Sequence, residues 1–438
     1  MDLSRLRDAL FAVRDAFADV GARFERRRRW TPRLVAMALV VLASDRSISS
    51  LEKLMAVMSN LEGWASPPSD STFVDARKSL VKLRPRALVE VWQRLSAQAL
   101  ALIPANRRTL GGLHWLAIDG TWVWTPRSSS TVAKFGRPKT KDGKLHYPQA
   151  LLVTALDVMT RIPMACGVSG HASSERDLLR GFLDQFKPGM VAMMDRGFPA
   201  KELLRQIIER KADVVWRMGS ADANSWNCVY DFLHDRTKPL ERVVDLVLPG
   251  LKPGDAPTTV PVRLIRRRFA PGRPKAGQTR ETMVLMTTLL DAATWTPARL
   301  VSVYERRWAI ETWFRDVKVG CDLERFHSTT ADGVEQEIHA LMVWMTITGL
   351  IERDAYHRVE RSRGKQDPED PTRFQINHSN VAFVAANLLT RIVAGEQLDR
   401  IIATSERDLE WISQTARRRR PGRSAPRVRK APHGRWNG

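Results

Sequence analysis

Four side chains in one segment of the sequence have types and spacing that suit phosphate chemistry. They are separated by three, four and seven residues, and they are Tyr304, Arg307, Glu311 and Lys318. At about 100° per residue, a helix would place them within a sector of roughly 60° on one face. That edge would present a phenol, a guanidinium, a carboxylate and an ammonium, a combination that suits a phosphodiester held beside a metal ion.

Apolar residues fill a neighbouring face of the same predicted helix. They span about 100° of its circumference, and they are Val303, Ile310, Trp313, Phe314 and Val317. The pattern therefore predicts one partly buried helix that carries Glu311 at the margin of a core.

Two further acids follow strand-like apolar runs. Asp119 comes directly after the run 113–118, and Asp195 comes directly after the run 190–194. An aspartate before glycine at a strand end is usually a turn residue, and a lone helical glutamate usually faces solvent. The combination is more informative, because acids at strand ends and on an adjacent helix can converge at one edge of a sheet.

The elements around these acids indicate an α/β fold. The segment 108–218 contains successive strands and then alternating strands and helices, which is typical of an α/β layer structure. The segment 219–281 has an irregular β pattern and is predicted to be a β-rich insertion, after which 282–330 returns to the core with the helix that carries Glu311. Further strands are predicted at 150–156, 162–166, 212–217, 243–248, 260–266 and 283–288, and further helices at 173–186 and 199–211.

Helical segments flank this region on both sides. Helix starts are predicted in 1–107 at Thr31 followed by proline, at Ser49 as a capping box with Glu52, and at Ser69. The second and third of these helices resemble a helix-turn-helix, and an ordinary small helical bundle is about equally compatible with the pattern. If 1–107 is a DNA-binding region, its third helix would present Arg77 and Lys78 to the DNA.

The C-terminal part of the chain divides into two segments. The segment 331–415 is predicted to be helical. The segment 416–438 contains nine basic and no acidic residues, which suits phosphate contact, although a solubilising terminus would have the same composition.

Charge and composition limit the class of partner. The chain has 438 residues, with 70 basic and 48 acidic side chains and a net charge of +22. An excess of this size favours a polyanion such as nucleic acid. A cationic protein from an organism with an arginine-rich proteome is the alternative.

Other residue patterns argue against several classes of protein. Cys166, Cys228 and Cys321 stand far apart, so a zinc cluster or a disulfide framework is not expected. The N-terminus lacks a signal-peptide pattern, and the apolar stretch 341–351 is too short to span a bilayer. We therefore expect a cytoplasmic protein without a membrane segment.

The sequence resembles the insertion-sequence-four family of Asp-Asp-Glu transposases. The resemblance runs through 118–121, 147–149 and 195–198, and most specifically through the Tyr-x2-Arg-x3-Glu-x6-Lys signature at 304–318. It covers roughly 113–326. It implies a ribonuclease-H-like core with a β insertion between the second aspartate and the glutamate.

The resemblance also implies roles for the residues of the site. Asp119, Asp195 and Glu311 would be the catalytic residues and would bind two Mg²⁺ ions, with Mn²⁺ as an alternative; Asp119 would bridge both ions. The DNA phosphates near the cut would be held by Tyr304, Arg307 and Lys318. Some relatives place a tryptophan in the strand before the signature helix to stack on a flipped base. The run 283–288 has none, and of the tryptophans nearby, Trp295, Trp308 and Trp313, the last is predicted to lie in the core.

The activity that the resemblance implies is transposition of a mobile element. The partners would be double-stranded DNA with terminal inverted repeats and a target DNA, bound by a homodimer associated with the nucleoid. Two other readings of the sequence remain: a metal-dependent nuclease without joining activity, and a non-catalytic DNA-binding protein derived from a transposase.

Overall fold

The computed structural model of the chain describes residues 4–18, 20, 29–138, 146–219, 226–250, 256–268, 282–364 and 373–418. Most of the predicted basic tail, residues 419–438, lies outside these ranges. Within them, no helix is both long enough and apolar enough to cross a membrane.

The N-terminal part is helical, as the sequence predicts. Thr31 caps the second helix by accepting a hydrogen bond from the backbone N–H of Leu34 at 3.1 Å, and Pro32 occupies the first helical position. The capping box predicted at Ser49 is wrong by one residue, because Ser50 is the extended residue that caps the third helix. The helices are α1 (Ser4–Ala16), α2 (Pro32–Ser44), α3 (Leu51–Glu62), α4 (Asp70–Leu83), α5 (Ala87–Leu102) and α6 (Ala105–Arg108).

The central sheet begins with five strands in the order β3-β2-β1-β4-β5. The pairs β1–β2 and β2–β3 are antiparallel, whereas β1–β4 and β4–β5 are parallel. This arrangement is a ribonuclease-H-like core, in agreement with the predicted fold class. Its elements are β1 (His114–Trp124), α7 (Ser129–Phe135), β2 (Gln149–Asp157), β3 (Pro163–Ser169), α8 (Glu175–Arg180), β4 (Met190–Met194), α9 (Lys201–Glu209) and β5 (Asp213–Met218).

Three antiparallel strands extend the same sheet in the order β5-β8-β7-β6. The strands predicted at 243–248, 260–266 and 283–288 are confirmed, so the β-rich segment continues the core sheet. A short helix in this segment was not predicted. The elements are α10 (Asn227–His234), β6 (Glu241–Leu248), β7 (Thr258–Arg268) and β8 (Thr282–Thr287). The division at 219–281 as a separate unit stays a prediction.

Helices complete the chain after the sheet. The 33-residue helix α13 packs against α2 and α5 as well as against the two helices that follow it, so the N-terminal and C-terminal helices share contacts. The elements are α11 (Pro297–Glu305), α12 (Trp308–Arg315), a π-helical turn (Asp316–Gly320), α13 (Ala331–Arg363), β9 (Phe374–Gln375), α14 (His378–Val393), α15 (Leu398–Gln414) and β10 (Arg417–Arg418).

Two apolar cores lie on opposite faces of the sheet. Val123 and Leu152 face the core shared with the terminal helices, whereas Ile118 and Val153 face the core formed with α8, α9 and α10. The alternation along β1 and β2 is that of a sheet covered on both faces. Neighbouring residues of β1, such as Asp119 and Gly120, therefore point to opposite faces of the sheet.

Candidate active site

The first predicted acid, Asp119, lies inside β1 and not at its end. The strand continues to Trp124, and Asp119 pairs with Thr154 of β2. The parallel pairing with β4 covers only His114 to Ala117. Asp119 therefore stands just beyond the point where β1 loses one of its two neighbours, and this opens the edge of the sheet beside it.

The second predicted acid, Asp195, follows the last residue of β4. Its Oδ1 accepts a hydrogen bond from the backbone N–H of Gly197 at 2.8 Å, which closes a tight turn. Because β1 and β4 are adjacent and parallel, Asp119 and Asp195 meet at the same edge of the sheet. The placement predicted for Asp195 is confirmed, and its role stays a prediction.

The signature segment is not one regular helix, and this part of the prediction is wrong. The segment comprises α11, α12 and the π-helical turn. At the junction the backbone N–H groups of Arg306, Arg307 and Ile310 bond to the third residue back, which is the tighter 3₁₀ spacing. Tyr304 thus ends α11, Glu311 lies in the first turn of α12, and Lys318 lies in the wider turn.

Arg307 links two of the three acids. Its Nη1 lies 3.2 Å from Asp119 Oδ2, and its Nη2 lies 3.0 Å from Glu311 Oε1. Arg307 is 8% exposed, and its Nε is buried with no hydrogen-bond partner among the described residues. A buried guanidinium with an unused donor is therefore held between carboxylates that come from β1 and α12.

The electrostatics place all three acids in one cluster. Burial raises the pKa of Asp119; the charge of Arg307 and the Gly120 amide oppose this, and the charges of Asp195 and Glu311 raise the pKa further. Burial would lower the pKa of Arg307, but Tyr304, Asp119 and Glu311 outweigh it and raise that pKa. The structure thus brings together the three acids predicted from the sequence, with one internal cation.

Tyr304 and Lys318 hold the strands that carry the aspartates. The Tyr304 hydroxyl donates to the backbone oxygen of Met194 at 3.1 Å, and burial raises the Tyr304 pKa to about 12. Lys318 Nζ donates to the backbone oxygen of Trp122 at 2.5 Å, and burial lowers the Lys318 pKa against the charge of Glu324. Both side chains therefore position backbone near the acids, and their contact with DNA stays a prediction.

Arg77 and Lys78 lie in very different surroundings. Arg77 is 4% exposed; it donates to the backbone oxygen of Gly333 at 2.9 Å and pairs with Glu337 at 3.0 Å. Lys78 is exposed and lies 3.9 Å from Asp75. The placement of Arg77 is unlike that expected of a phosphate ligand, because its donors already bind protein, whereas Lys78 remains open to solvent.

One acid near the cluster was not singled out from the sequence. Glu175, the first residue of α8, has a pKa raised by burial and by the charges of Asp119 and Asp195. The segment at 173–175 predicts a helix start, which is confirmed. A second acid in the same turn, Asp177, forms the capping box with Ser174. Because Asp177 already supplies the carboxylate of the cap, the sequence could have indicated that the Glu175 carboxylate is not needed there.

The tryptophans near the signature helix are placed as follows. Trp313 lies in the core, as predicted, and Trp295 is also buried, where its ring packs edge-on against Trp115. Trp308 is 48% exposed beside Arg307. Of the three candidates for base stacking, Trp308 alone has an open face.

The donor types of the cluster fit a hard divalent cation, but their present arrangement is not a closed metal site. No group of three or more His, Cys, Asp or Glu within the described ranges is arranged to hold a metal ion. The Arg307 guanidinium lies between Asp119 and Glu311 and pairs with both carboxylates. Carboxylates that gather round a positive charge are the ligands that Mg²⁺ and Mn²⁺ prefer.

Comparisons with known proteins give consistent matches. A family model described as a transposase DDE domain matches residues 113–347. The chain is 22% identical over 347 residues to the transposase InsG for insertion sequence element IS4 of Escherichia coli strain K12, over 74% of this chain and 71% of that protein. A cryo-EM structure of a piggyBac transposase synaptic complex with hairpin DNA is similar with a TM-score of 0.45 and 12% identity, over 94% of this chain and 84% of that one.

Proposed function

This chain belongs to the DDE transposase family, in the group of the insertion-sequence-four element, and we propose that it cuts DNA at the ends of a mobile element and joins them to target DNA. In the cut, a water oxygen attacks phosphorus and the P–O3′ bond breaks, which leaves a 3′-hydroxyl and a 5′-phosphate. In the joining step that 3′-hydroxyl attacks a target phosphodiester, and one P–O bond forms as another breaks.

The observation that carries this proposal is the cluster of three acids around Arg307. Asp119 comes from β1, Asp195 from the turn after β4, and Glu311 from α12, which packs against β1. Acids from three separate elements, more than 180 residues apart at the extremes, share one edge of a ribonuclease-H-like sheet. Such convergence supports a catalytic role, because each of these acids would be easier to accommodate alone in solvent.

Members of this family generally use divalent metal ions. In this proposal, Asp119, Asp195 and Glu311 are the residues that would hold the ions. Bound Mg²⁺ or Mn²⁺ would supply the Lewis acidity for displacement at a phosphodiester. The protein itself holds the acids at one edge and keeps them partly buried, which strengthens any charge interaction made there.

The side chains around the acids would position the DNA strand. Arg307 has a buried and unused Nε, so its guanidinium is suited to exchange a carboxylate for a phosphate oxygen. Lys318 bonds to the backbone of Trp122 in β1, the strand that carries Asp119, and would offer a second positive charge. Tyr304 would act through Met194, by fixing the strand end from which Asp195 projects.

The partner in this proposal is double-stranded DNA, which the net charge of +22 favours. Terminal inverted repeats would be bound through α3 and α4, with Lys78 on the exposed side. Pairing of two ends requires two copies of the chain, so we propose a homodimer on DNA, associated with the nucleoid.

A joining assay tests the proposed function. The full chain is incubated with Mg²⁺, a supercoiled target plasmid and a labelled duplex that ends at a free 3′-hydroxyl, taken from the DNA flanking the gene. We expect labelled DNA joined to the plasmid, dependent on the 3′-hydroxyl. Cutting of uncut ends without any joining would instead indicate a nuclease, and neither activity would indicate a non-catalytic DNA-binding protein.

Replacing Arg307 with alanine should destabilise the metal-free protein by about 2 kcal/mol. The loss is smaller than the 3–5 kcal/mol typical of a broken buried pair, because the side chain of Glu311 is 37% exposed. Urea denaturation without divalent ions measures it. Added Mg²⁺ should recover part of the loss, since an ion compensates the same carboxylates.

Arg315→Ala is the matched control, because that side chain lies in the same segment and is 69% exposed. We expect it to change the free energy of unfolding by less than about 0.5 kcal/mol. Equal stability of the Arg307→Ala variant and the wild type in the absence of metal would contradict the role of Arg307 as the internal cation.

A further inference from the structure

Glu175 lies against the strand that carries the first acid. A Cβ placed on Gly120 would come within 2.1 Å of Glu175 Oε1 and 2.7 Å of its Cδ. The Glu175 side chain therefore occupies the space that any other residue at position 120 would fill. Neighbouring residues of a strand face opposite sides of the sheet, so Glu175 approaches this edge from the face opposite to Arg307 and Glu311.

The second carboxylate oxygen faces the turn that carries the second acid. A Cβ on Gly197 would lie 3.1 Å from Asp195 Oδ1 and 3.9 Å from Glu175 Oε2. The next residue of α8, Arg176, donates two hydrogen bonds to the backbone oxygen of Gly197, at 3.0 and 2.7 Å. The start of α8 is thus fastened to the Asp195 turn, and this holds Glu175 between the two aspartates.

The Glu175 carboxylate is not used by its own helix. The cap of α8 is formed by Ser174. In return, Asp177 Oδ2 accepts hydrogen bonds from the backbone N–H of Ser174 at 3.0 Å and from its hydroxyl at 2.7 Å. In the part of the chain that the structure describes, the Glu175 carboxylate forms no hydrogen bond or ion pair. A half-buried carboxylate without a partner, next to two others, costs free energy unless a cation joins them.

We infer that Glu175 is a fourth cation-binding carboxylate of this site, which holds a divalent ion together with Asp119 and Asp195. The inference rests on the proposed function, since it adds a ligand to the same acids. Gly120 is the residue that makes it sterically feasible, because the absence of a side chain there lets the carboxylate reach the strand edge. Arg307 pairs with Asp119 and Glu311 on the other face, whereas neither Glu175 nor Asp195 forms an ion pair among the described residues. The charge of Arg176 favours the ionised form of Glu175, but burial and the charges of Asp119 and Asp195 outweigh it and raise the Glu175 pKa.

Direct measurement of Mn²⁺ binding to the full-length Glu175→Gln variant tests this inference. Electron paramagnetic resonance titration reports free Mn²⁺ without any DNA or turnover. We expect the affinity to fall at least about tenfold, the lower end of what loss of a supporting ligand costs at a metal site. The melting temperature without metal should stay equal or rise, because one of several like charges is removed, and the rise in melting temperature caused by Mn²⁺ should shrink.

Two further variants keep the result interpretable. Glu202→Gln on α9 removes a half-exposed acid whose nearest charge partner is Arg180 at 3.4 Å, and it should bind Mn²⁺ as the wild type does. Gly120→Ala keeps every charge but displaces the Glu175 carboxylate, so it should also weaken Mn²⁺ binding. A weakened Gly120→Ala variant therefore supports the inference even if Glu175→Gln folds poorly.

Two outcomes overturn the inference. One is wild-type Mn²⁺ affinity in the folded Glu175→Gln variant, and the other is a lower metal-free melting temperature with unchanged affinity, which would make Glu175 purely structural. If Asp119→Asn abolishes DNA cleavage while Glu175→Gln leaves Mn²⁺ binding intact, this inference alone fails. Cleavage that survives in Asp119→Asn would instead remove the proposed function.

Discussion

Replacing Asp119 with asparagine should reduce DNA cleavage on the order of 10³-fold or more while leaving the fold intact. The change keeps the shape of the side chain and removes the charge that a divalent ion requires, and such ions contribute several kcal/mol to displacement at phosphorus. Asp119 pairs with Arg307 at 3.2 Å, and the charges of both other acids act on it. The measurement is the single-turnover rate of cleavage of a labelled end, at saturating protein and Mg²⁺.

The stability of the same variant separates catalysis from folding. Burial of Asp119, with the charges of Asp195 and Glu311, outweighs the charge of Arg307 and the Gly120 amide, which favour the ionised form. Neutral asparagine should therefore leave the metal-free melting temperature near that of the wild type. Asp184→Asn, an exposed acid in the connection between α8 and β4, is the matched control and should cleave normally. Cleavage by Asp119→Asn within tenfold of the wild type would contradict the assignment of this acid.

The position of Asp119 shows how far local sequence patterns can predict the site. The apolar run 113–118 predicts β1, but Asp119 followed by Gly120 and Thr121 suggests a turn. In the structure the strand continues, because β2 supplies pairing partners for these residues, including Thr154 opposite Asp119. A partner 35 residues away decides where the strand ends, and a local pattern contains no information about it.

The signature helix gives a similar result for a different reason. Its periodicity correctly predicts that Trp313 is buried and that Arg307 and Glu311 lie close together. It does not predict the break between α11 and α12, since no glycine or proline marks that position. Contacts specific to the folded chain accompany the break, among them the Tyr304 hydroxyl bond to Met194.

The structure differs most from the prediction at Arg77. A charged residue on a helix is ordinarily expected at a solvated surface, whereas Arg77 is buried. Its partner Glu337 lies 260 residues later on α13, so the pair cannot be recognised from spacing. The Arg77 and Glu337 side chains are only 5% and 10% exposed. The Glu337 Oε2 atom also accepts the backbone N–H of His327 at 2.9 Å. Arg77 therefore joins α4, in the predicted DNA-binding region, to the long helix α13 that follows the signature segment.

Replacing Arg77 with methionine should destabilise the protein by about 3–5 kcal/mol. The substitution keeps an apolar stem but leaves Glu337 as an uncompensated buried charge, and such losses are typically of this size. The helix α4 should be the first part to loosen, because Arg77 also bonds to the Gly333 backbone of α13. Urea denaturation at neutral pH gives the change in free energy, and hydrogen exchange of the α4 amides locates it.

The pH dependence of this loss follows from Glu337. Burial would raise its pKa, but the hydrogen bond from His327 and the charge of Arg77 outweigh burial and hold the pKa below its ordinary value of 4.5. A lowered pKa in the folded state contributes stability above pH 4.5, which disappears as the pH falls through the folded value. The difference between wild type and Arg77→Met should therefore be large at pH 7 and shrink below pH 4.5.

Lys78→Met is the matched control, since it removes a positive charge from the next position on the same helix. Lys78 is exposed and only 3.9 Å from Asp75, so its loss should change the free energy of unfolding by less than about 0.5 kcal/mol. If Lys78 contacts a phosphate, its loss should instead weaken DNA binding and reduce the salt dependence of that binding. A stable Arg77→Met variant with weakened DNA binding would show that Arg77 leaves its buried pair to reach DNA. That result would contradict the structural role of Arg77 in joining α4 to α13.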